Sequence, residues 1–120
     1  MKSYTDLEQS KKLAEILPLE SADMRYDEYI SHIDGTPKVG YKKGVTDGIP
    51  CWSLAALLSV IPKRINEYNV LRIDISVNDF AIWYDEIGYG VNTELPDITM
   101  EYPVNACVEM IVKLHELNIL

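Results

Sequence analysis

The chain has 120 residues, 48% of them hydrophobic and 25% charged, with 11 Lys or Arg against 19 Asp or Glu for a net charge of −8. That apolar share sustains one globular domain spanning 1–120 and excludes a disordered polymer, while 2 Cys and 6 Gly exclude a disulfide-stapled or collagen-like build. No uncharged apolar run approaches the ~18 residues of a membrane span, and the acid excess opposes direct binding of nucleic acid or an anionic membrane, both of which select Lys and Arg.

The first predicted element is a helix opened by Thr5-Asp6-Leu7-Glu8, which reads as a capping box with Thr5 as the cap and Glu8 reaching back. Leu13, Ile16 and Leu17 form its apolar stripe, Glu8 and Lys12 are an i,i+4 pair, and Pro18 stops it near Leu17. Ser10, Lys11 and Glu15 are expected in water. Residues 24–33 are Tyr-rich and read as a weakly alternating strand. Asp34-Gly35-Thr36-Pro37 is a turn, Val39 and Tyr41 suit a short strand, and Lys42-Lys43-Gly44 with Asp47-Gly48 reads as an exposed loop. Ile49 to Ser53 leads into a second helix capped by Ser53. Its Leu54, Leu57, Leu58 and Ile61 have helical spacing, and the helix is expected to be buried.

The clearest strand signal follows. Leu71, Ile73, Ile75 and Val77 alternate with Arg72, Asp74 and Ser76, and Phe80, Ile82 and Tyr84 alternate with Ala81, Trp83 and Asp85. This predicts an antiparallel hairpin turning at Asn78-Asp79. Ile98-Thr99-Met100 suits a third strand. The last helix starts at Pro103, with Val104, Cys107, Val108, Ile111 and Leu114 on one apolar face widened by Met110 and Leu117. The expected fold class is α+β, three helices packed on a small antiparallel sheet of three to five strands. Its core is expected to hold Leu13, Leu17, Leu54, Leu57, Leu58, Ile73, Ile75, Ile82, Val108, Ile111 and Leu114.

Catalytic and metal chemistry finds little foothold. The two histidines, His32 and His115, have no ligand neighbours at zinc spacing, and the acids lack a calcium-loop pattern. No metal or cofactor is expected, and no catalytic residue is assigned. Gly40-Tyr41-Lys42-Lys43-Gly44 lacks the setting and the terminal Lys-Ser/Thr of a phosphate loop, so it reads as solvated. Cys107 reads as a packed thiol. Cys51 lies shortly before a helix start, where the dipole favours a thiolate; a small enzyme using Cys51 is therefore one alternative, weighed against a buried Cys beside Trp52. Reduced thiols and a cytoplasmic location are the default.

The least ordinary feature is the distribution of charge. Between Arg72 and Lys113 there are eight acids and no Lys or Arg, and the rest of the chain is balanced. Asp74, Asp79, Trp83, Asp85, Glu86, Glu94, Asp97 and Glu101 are accordingly the candidate interaction residues, for a basic protein partner steered by charge. Mimicry of nucleic-acid phosphates, which would inhibit a DNA-binding protein, is a second reading of the same acids, and a solvating face is the third. Trp83 points away from Phe80, Ile82 and Tyr84; a covering segment is favoured over full exposure. A homodimer through a sheet edge or an apolar helix face is also compatible with the pattern.

The runs 8–13 (EQSKKL), 20–24 (ESADM), 49–54 (IPCWSL) and 79–84 (DFAIWY) resemble those of a family of small acidic proteins from Bacteroides-type gut bacteria, their prophages and other mobile elements. The resemblance spans nearly the whole chain. It implies an accessory role in a prophage or mobile-element context, and it carries over no activity, substrate or catalytic residue.

Overall fold

The computed structural model describes residues 3–26, 38–39, 48–87 and 95–120. Their elements run α1 (Leu7–Ala14), β1 (Met24–Tyr26), β2 (Lys38–Val39), β3 (Ile49–Cys51), α2 (Leu54–Val60), β4 (Asn69–Ile75), β5 (Phe80–Glu86), β6 (Asp97–Met100) and α3 (Pro103–Glu116). The class is α+β. The strands divide into two antiparallel three-stranded sheets, ordered β2-β1-β3 and β4-β5-β6.

The capping box of α1 is real but sits one residue later than expected. Asp6 is the cap: its carboxylate accepts from the Gln9 amide at 2.8 Å, and the Gln9 side chain accepts from the Asp6 amide at 3.1 Å. Thr5 is occupied elsewhere. Its amide donates to the Trp52 carbonyl at 2.9 Å, and its hydroxyl accepts from the Trp52 amide at 3.1 Å. The same hydroxyl lies 2.8 Å from the Ser10 hydroxyl, so Ser10, expected in water, is buried. The helix closes at Ala14, before Leu17, because Ile16 and Leu17 both turn back onto the Leu13 carbonyl ahead of Pro18.

Of the strand expected over 24–33, residues 24–26 form β1; the rest, with the turn at 34–37, Tyr41 and the loop over 42–47, lies outside the described residues. Ile49–Cys51, expected as a lead-in to α2, is instead strand β3, which pairs with β1 through Met24↔Cys51 and Tyr26↔Ile49. Pro50 is tolerated because β3 is an edge strand. Ser53 caps α2 as expected, accepting from the Ala56 amide at 3.2 Å. Burial of α2 is one-sided rather than complete: Ala56 and Leu57 are buried, Leu54 and Leu58 half-buried, and Ala55 exposed.

The β4–β5 hairpin has the expected alternation, with Leu71↔Tyr84, Ile73↔Ile82 and Ile75↔Phe80 in register. Its turn lies one position earlier than expected, at Val77-Asn78, closed by the Ser76 amide donating to the Asp79 carbonyl at 3.0 Å. Ile98 of β6 stands opposite Ile82. Helix α3 lies on β5 and β6 and meets α1 and α2 as well. The core is thus Leu13, Leu17, Leu57, Ile82, Val108, Ile111 and Leu114, joined by Trp52, Ile61, Phe80, Tyr84, Val104 and Met110. Between the helices, Gln9 Nε2 donates to Asn105 Oδ1 at 2.9 Å.

Ile73 and Ile75, expected in that core, are 40% and 75% exposed. They share the face of Ile82, but β4 is the sheet's edge and α3 covers the neighbouring strands. Leu117 is likewise exposed, one residue past the end of α3. There Asn118 takes a left-handed φ of 59°, the Ile119 amide donates to Leu114 O at 2.9 Å, and the Asn118 amide donates to His115 O at 3.0 Å. This is a Schellman closure, which satisfies the final carbonyls of the helix.

Candidate interaction face

Because side chains alternate along a strand, burying Phe80, Ile82 and Tyr84 sends Ala81, Trp83 and Asp85 to the opposite side of the sheet. The strand register then decides what surrounds Trp83. Arg72 stands beside it on β4 and Asp97 on β6. One row away, Asp74 and Thr99 flank Ala81, and Val70 lies beside Asp85. Arg72, Asp74, Asp85, Asp97 and Thr99 are exposed and Trp83 is half-buried. The helix that packs this sheet lies on the other face, so Trp83 is neither sealed nor bare. A shallow cleft of about 460 Å³ opens beside it, bordered by Asp85, Leu95, Pro96 and Asp97.

The acids of this region do not form one uniform patch. Asp74, Asp85 and Asp97 share the outer face with Trp83. Arg72 is interleaved among them, its Nε 3.6 Å from an Asp85 carboxylate oxygen, with both side chains about half exposed. Such a pair contributes at most about 1 kcal/mol in water, but it removes one positive and one negative charge from the unpaired total on this face. Asp79 and Glu101 lie at the far end of the hairpin, around a cleft of about 500 Å³ that also touches Ile75, Val77, Tyr102 and Pro103. There the Asp79 carboxylate accepts from the Ser76 hydroxyl. Glu86 points to the side opposite Asp85, at the end of β5. Glu109 pairs with Lys113 at 3.5 Å on α3, and Glu94 lies outside the described residues.

Arg72 is the residue that counting acids along the chain passed over. It marked the start of the acid-rich stretch, whereas its period-two spacing from Asp74 already put it on their face. The apolar exposure at Ile73, Ile75 and Val77 was also missed. Alternation names a face, but not how far the covering helix extends across it.

Cys51 lies on β3, three residues before the first turn of α2. It is fully buried and free, as is Cys107. The Cys51 thiol donates to the Thr5 carbonyl at 3.4 Å and accepts from the Thr5 hydroxyl at 3.5 Å, while the Tyr26 hydroxyl donates to the same carbonyl at 2.7 Å. Burial pushes the Cys51 thiol up, against a smaller lowering by the Thr5 hydrogen bond. Burial also pushes Cys107 up to about 12, against a pull from Lys63. Both groups are therefore held as neutral thiols. His115 is exposed near the end of α3 with Nδ1 2.9 Å from Leu120 O, and His32 lies outside the described residues. No group of three or more His, Cys, Asp or Glu among the described residues is placed to hold a metal ion. No helix among them is long and apolar enough to cross a membrane.

No family model, curated protein or solved structure matches the chain. Fold and face together define an α+β protein with a sheet that is helix-covered on one side and carries an aromatic, acid-rimmed surface on the other.

Proposed function

We propose that the chain is a non-catalytic interaction module, an accessory protein of prophage or mobile-element context, that holds a basic protein partner on the outer face of the β4–β5–β6 sheet. One observation carries this reading: Trp83 stands half-buried at the centre of that face, with Asp74, Asp85 and Asp97 exposed around it. A flat aromatic ring offers apolar contact and a π-face for a Lys or Arg side chain. Asp74 and Asp97 supply the unpaired charge that draws such a side chain in and orients it, while Asp85 is paired with Arg72. The half-covered ring also separates this reading from plain solvation, which needs no aromatic at the centre of the charges.

The test is fluorescence anisotropy of a labelled Lys/Arg-rich peptide at low salt, compared between the unaltered chain and Trp83→Ala. The variant keeps the net charge, so attraction by −8 alone would leave binding unchanged. The expected result is salt-sensitive binding that weakens at least about 10-fold in Trp83→Ala, the loss of roughly 1.4 kcal/mol in contact. Equal binding by both proteins, or none by either, rejects the proposal.

A further inference from the structure

We propose that two copies of this chain pair through the free edge of β4, antiparallel and centred on Ile75. The Asn69 carbonyl accepts from the Ile65 amide at 3.1 Å, and the Leu71 amide donates to the Lys63 carbonyl at 2.9 Å. Odd-numbered residues of β4 therefore turn their peptide groups away from β5, as alternation in an antiparallel ladder requires. Residues 63–65 cover this edge as far as Leu71. Past it, the outward peptide groups of Ile73 and Ile75 meet no main-chain partner among the described residues.

The side chains of the same stretch are bare as well. Ile73, Ile75 and Val77 are 40%, 75% and 98% exposed. An edge with unpaired peptide groups and exposed aliphatic side chains is a template for strand addition. The occupant follows from register. In a two-fold antiparallel pair, opposed residues share a face, so the axis passes between the two copies of one residue. Centring on Ile73 sets Ile75 of the second copy against Leu71, whose amide already serves Lys63. Centring on Asp74 sets two carboxylates directly opposite each other, which is destabilising. Centring on Ile75 places Ile75 against Ile75 and Asp74 against Ser76, and brings Ile73 beside Val77 at the first position of the turn. Every exposed aliphatic residue of the edge then gains an aliphatic partner, and no like charges are opposed. Centring beyond Ile75 takes the axis outside β4. The strand is self-complementary in this one register, and its product is a continuous six-stranded sheet.

This assembly goes beyond capture of a basic partner, and its response to salt has the opposite sign. Two chains of −8 repel, so added salt strengthens the dimer while weakening a basic partner's hold. The experiment is sedimentation equilibrium of the full chain up to about 1 mM, a range that detects weak pairing, at low and high salt. A reversible dimer is expected, more populated at high salt and absent in Ile75→Lys, which keeps the melting temperature because residue 75 is exposed. For register, equimolar Asp74→Cys and Ser76→Cys chains under mild oxidation are expected to cross-link at least about 10-fold more than Asp74→Cys alone, since opposed Cα atoms lie ~4.5–5.5 Å apart. A monomer at every concentration and salt, a dimer that Ile75→Lys leaves intact, or equal cross-linking by Asp74→Cys alone overturns the proposal. Peptide binding is read separately at dilute concentration, so either proposal can fail without the other.

Discussion

Thr5 and Trp52 hold each other through two hydrogen bonds, the Thr5 amide to the Trp52 carbonyl at 2.9 Å and the Trp52 amide to the Thr5 hydroxyl at 3.1 Å. Thr5 precedes α1 and Trp52 lies between β3 and α2, so this clasp joins the small sheet to two helices. Replacing Thr5 by Val keeps the shape and removes the acceptor, leaving a buried amide unsatisfied. A loss of about 1–3 kcal/mol is expected in urea denaturation. Stability within a few tenths of the unaltered chain would show that the hydroxyl has no such role.

Two isoleucines on one face of one hairpin should respond very differently. Ile82 is fully buried and Ile75 is 75% exposed. Ile82→Ala is expected to cost about 2–5 kcal/mol through lost burial and the cavity left behind. Ile75→Ser, measured in dilute monomer, should stay within about 0.5 kcal/mol. Comparable losses in thermal melts would place the core boundary elsewhere.

The buried thiols and Tyr84 give stability a defined alkaline limb. Cys107 is raised from 9.0 to about 12, and Tyr84, whose hydroxyl donates to Pro62 O at 2.7 Å, is raised by burial from 10.0 to about 12. Above pH 9 the unfolded chain loses these protons while the folded chain keeps them. The stabilisation is therefore complete below pH 9 and falls as pH rises toward 12. Denaturant midpoints should be flat from pH 7 to pH 9 and decline above it, with a shallower decline in Cys107→Ala. An unchanged slope in that variant would contradict the assignment.

Asn118 occupies the left-handed position that ends α3. Asn118→Gly is expected to be neutral or slightly stabilising, and Asn118→Val to cost about 1–2 kcal/mol because a β-branched side chain clashes at positive φ. Equal stabilities of the two variants would exclude this closure.

Trp83 stands among acids in partial contact with solvent, and Trp52 is fully buried. Caesium should therefore quench the accessible emission more than iodide does, and Trp83→Phe should abolish most of that quenching. Preferential quenching by iodide would show that Arg72 dominates the local field.

Much of the fold was legible because it rests on local pattern. The β4–β5 alternation, Ser53 at the start of α2 and Pro103 at the start of α3 each depend on neighbours in sequence. What escaped reading depends on distant partners. Thr5 looks like a helix cap until Trp52 claims its hydroxyl, and Ile49–Cys51 looks like a lead-in until β1 pairs with it. The candidate face was legible in half its features: period two puts Asp74, Trp83 and Asp85 on one side, but the same rule brings in Arg72. Exposure at Ile75 was illegible because it is set by where α3 lies across the sheet.

The bond from Gln9 to Asn105 spans 96 positions of chain, and α3 closes the core over β5 and β6. During synthesis α1 therefore leaves the ribosome long before the helix it must meet. A released chain truncated ahead of residue 103 would leave Phe80 and Ile82 uncovered, a species suited to chaperone capture. Completion of folding then falls after α3 has cleared the exit tunnel.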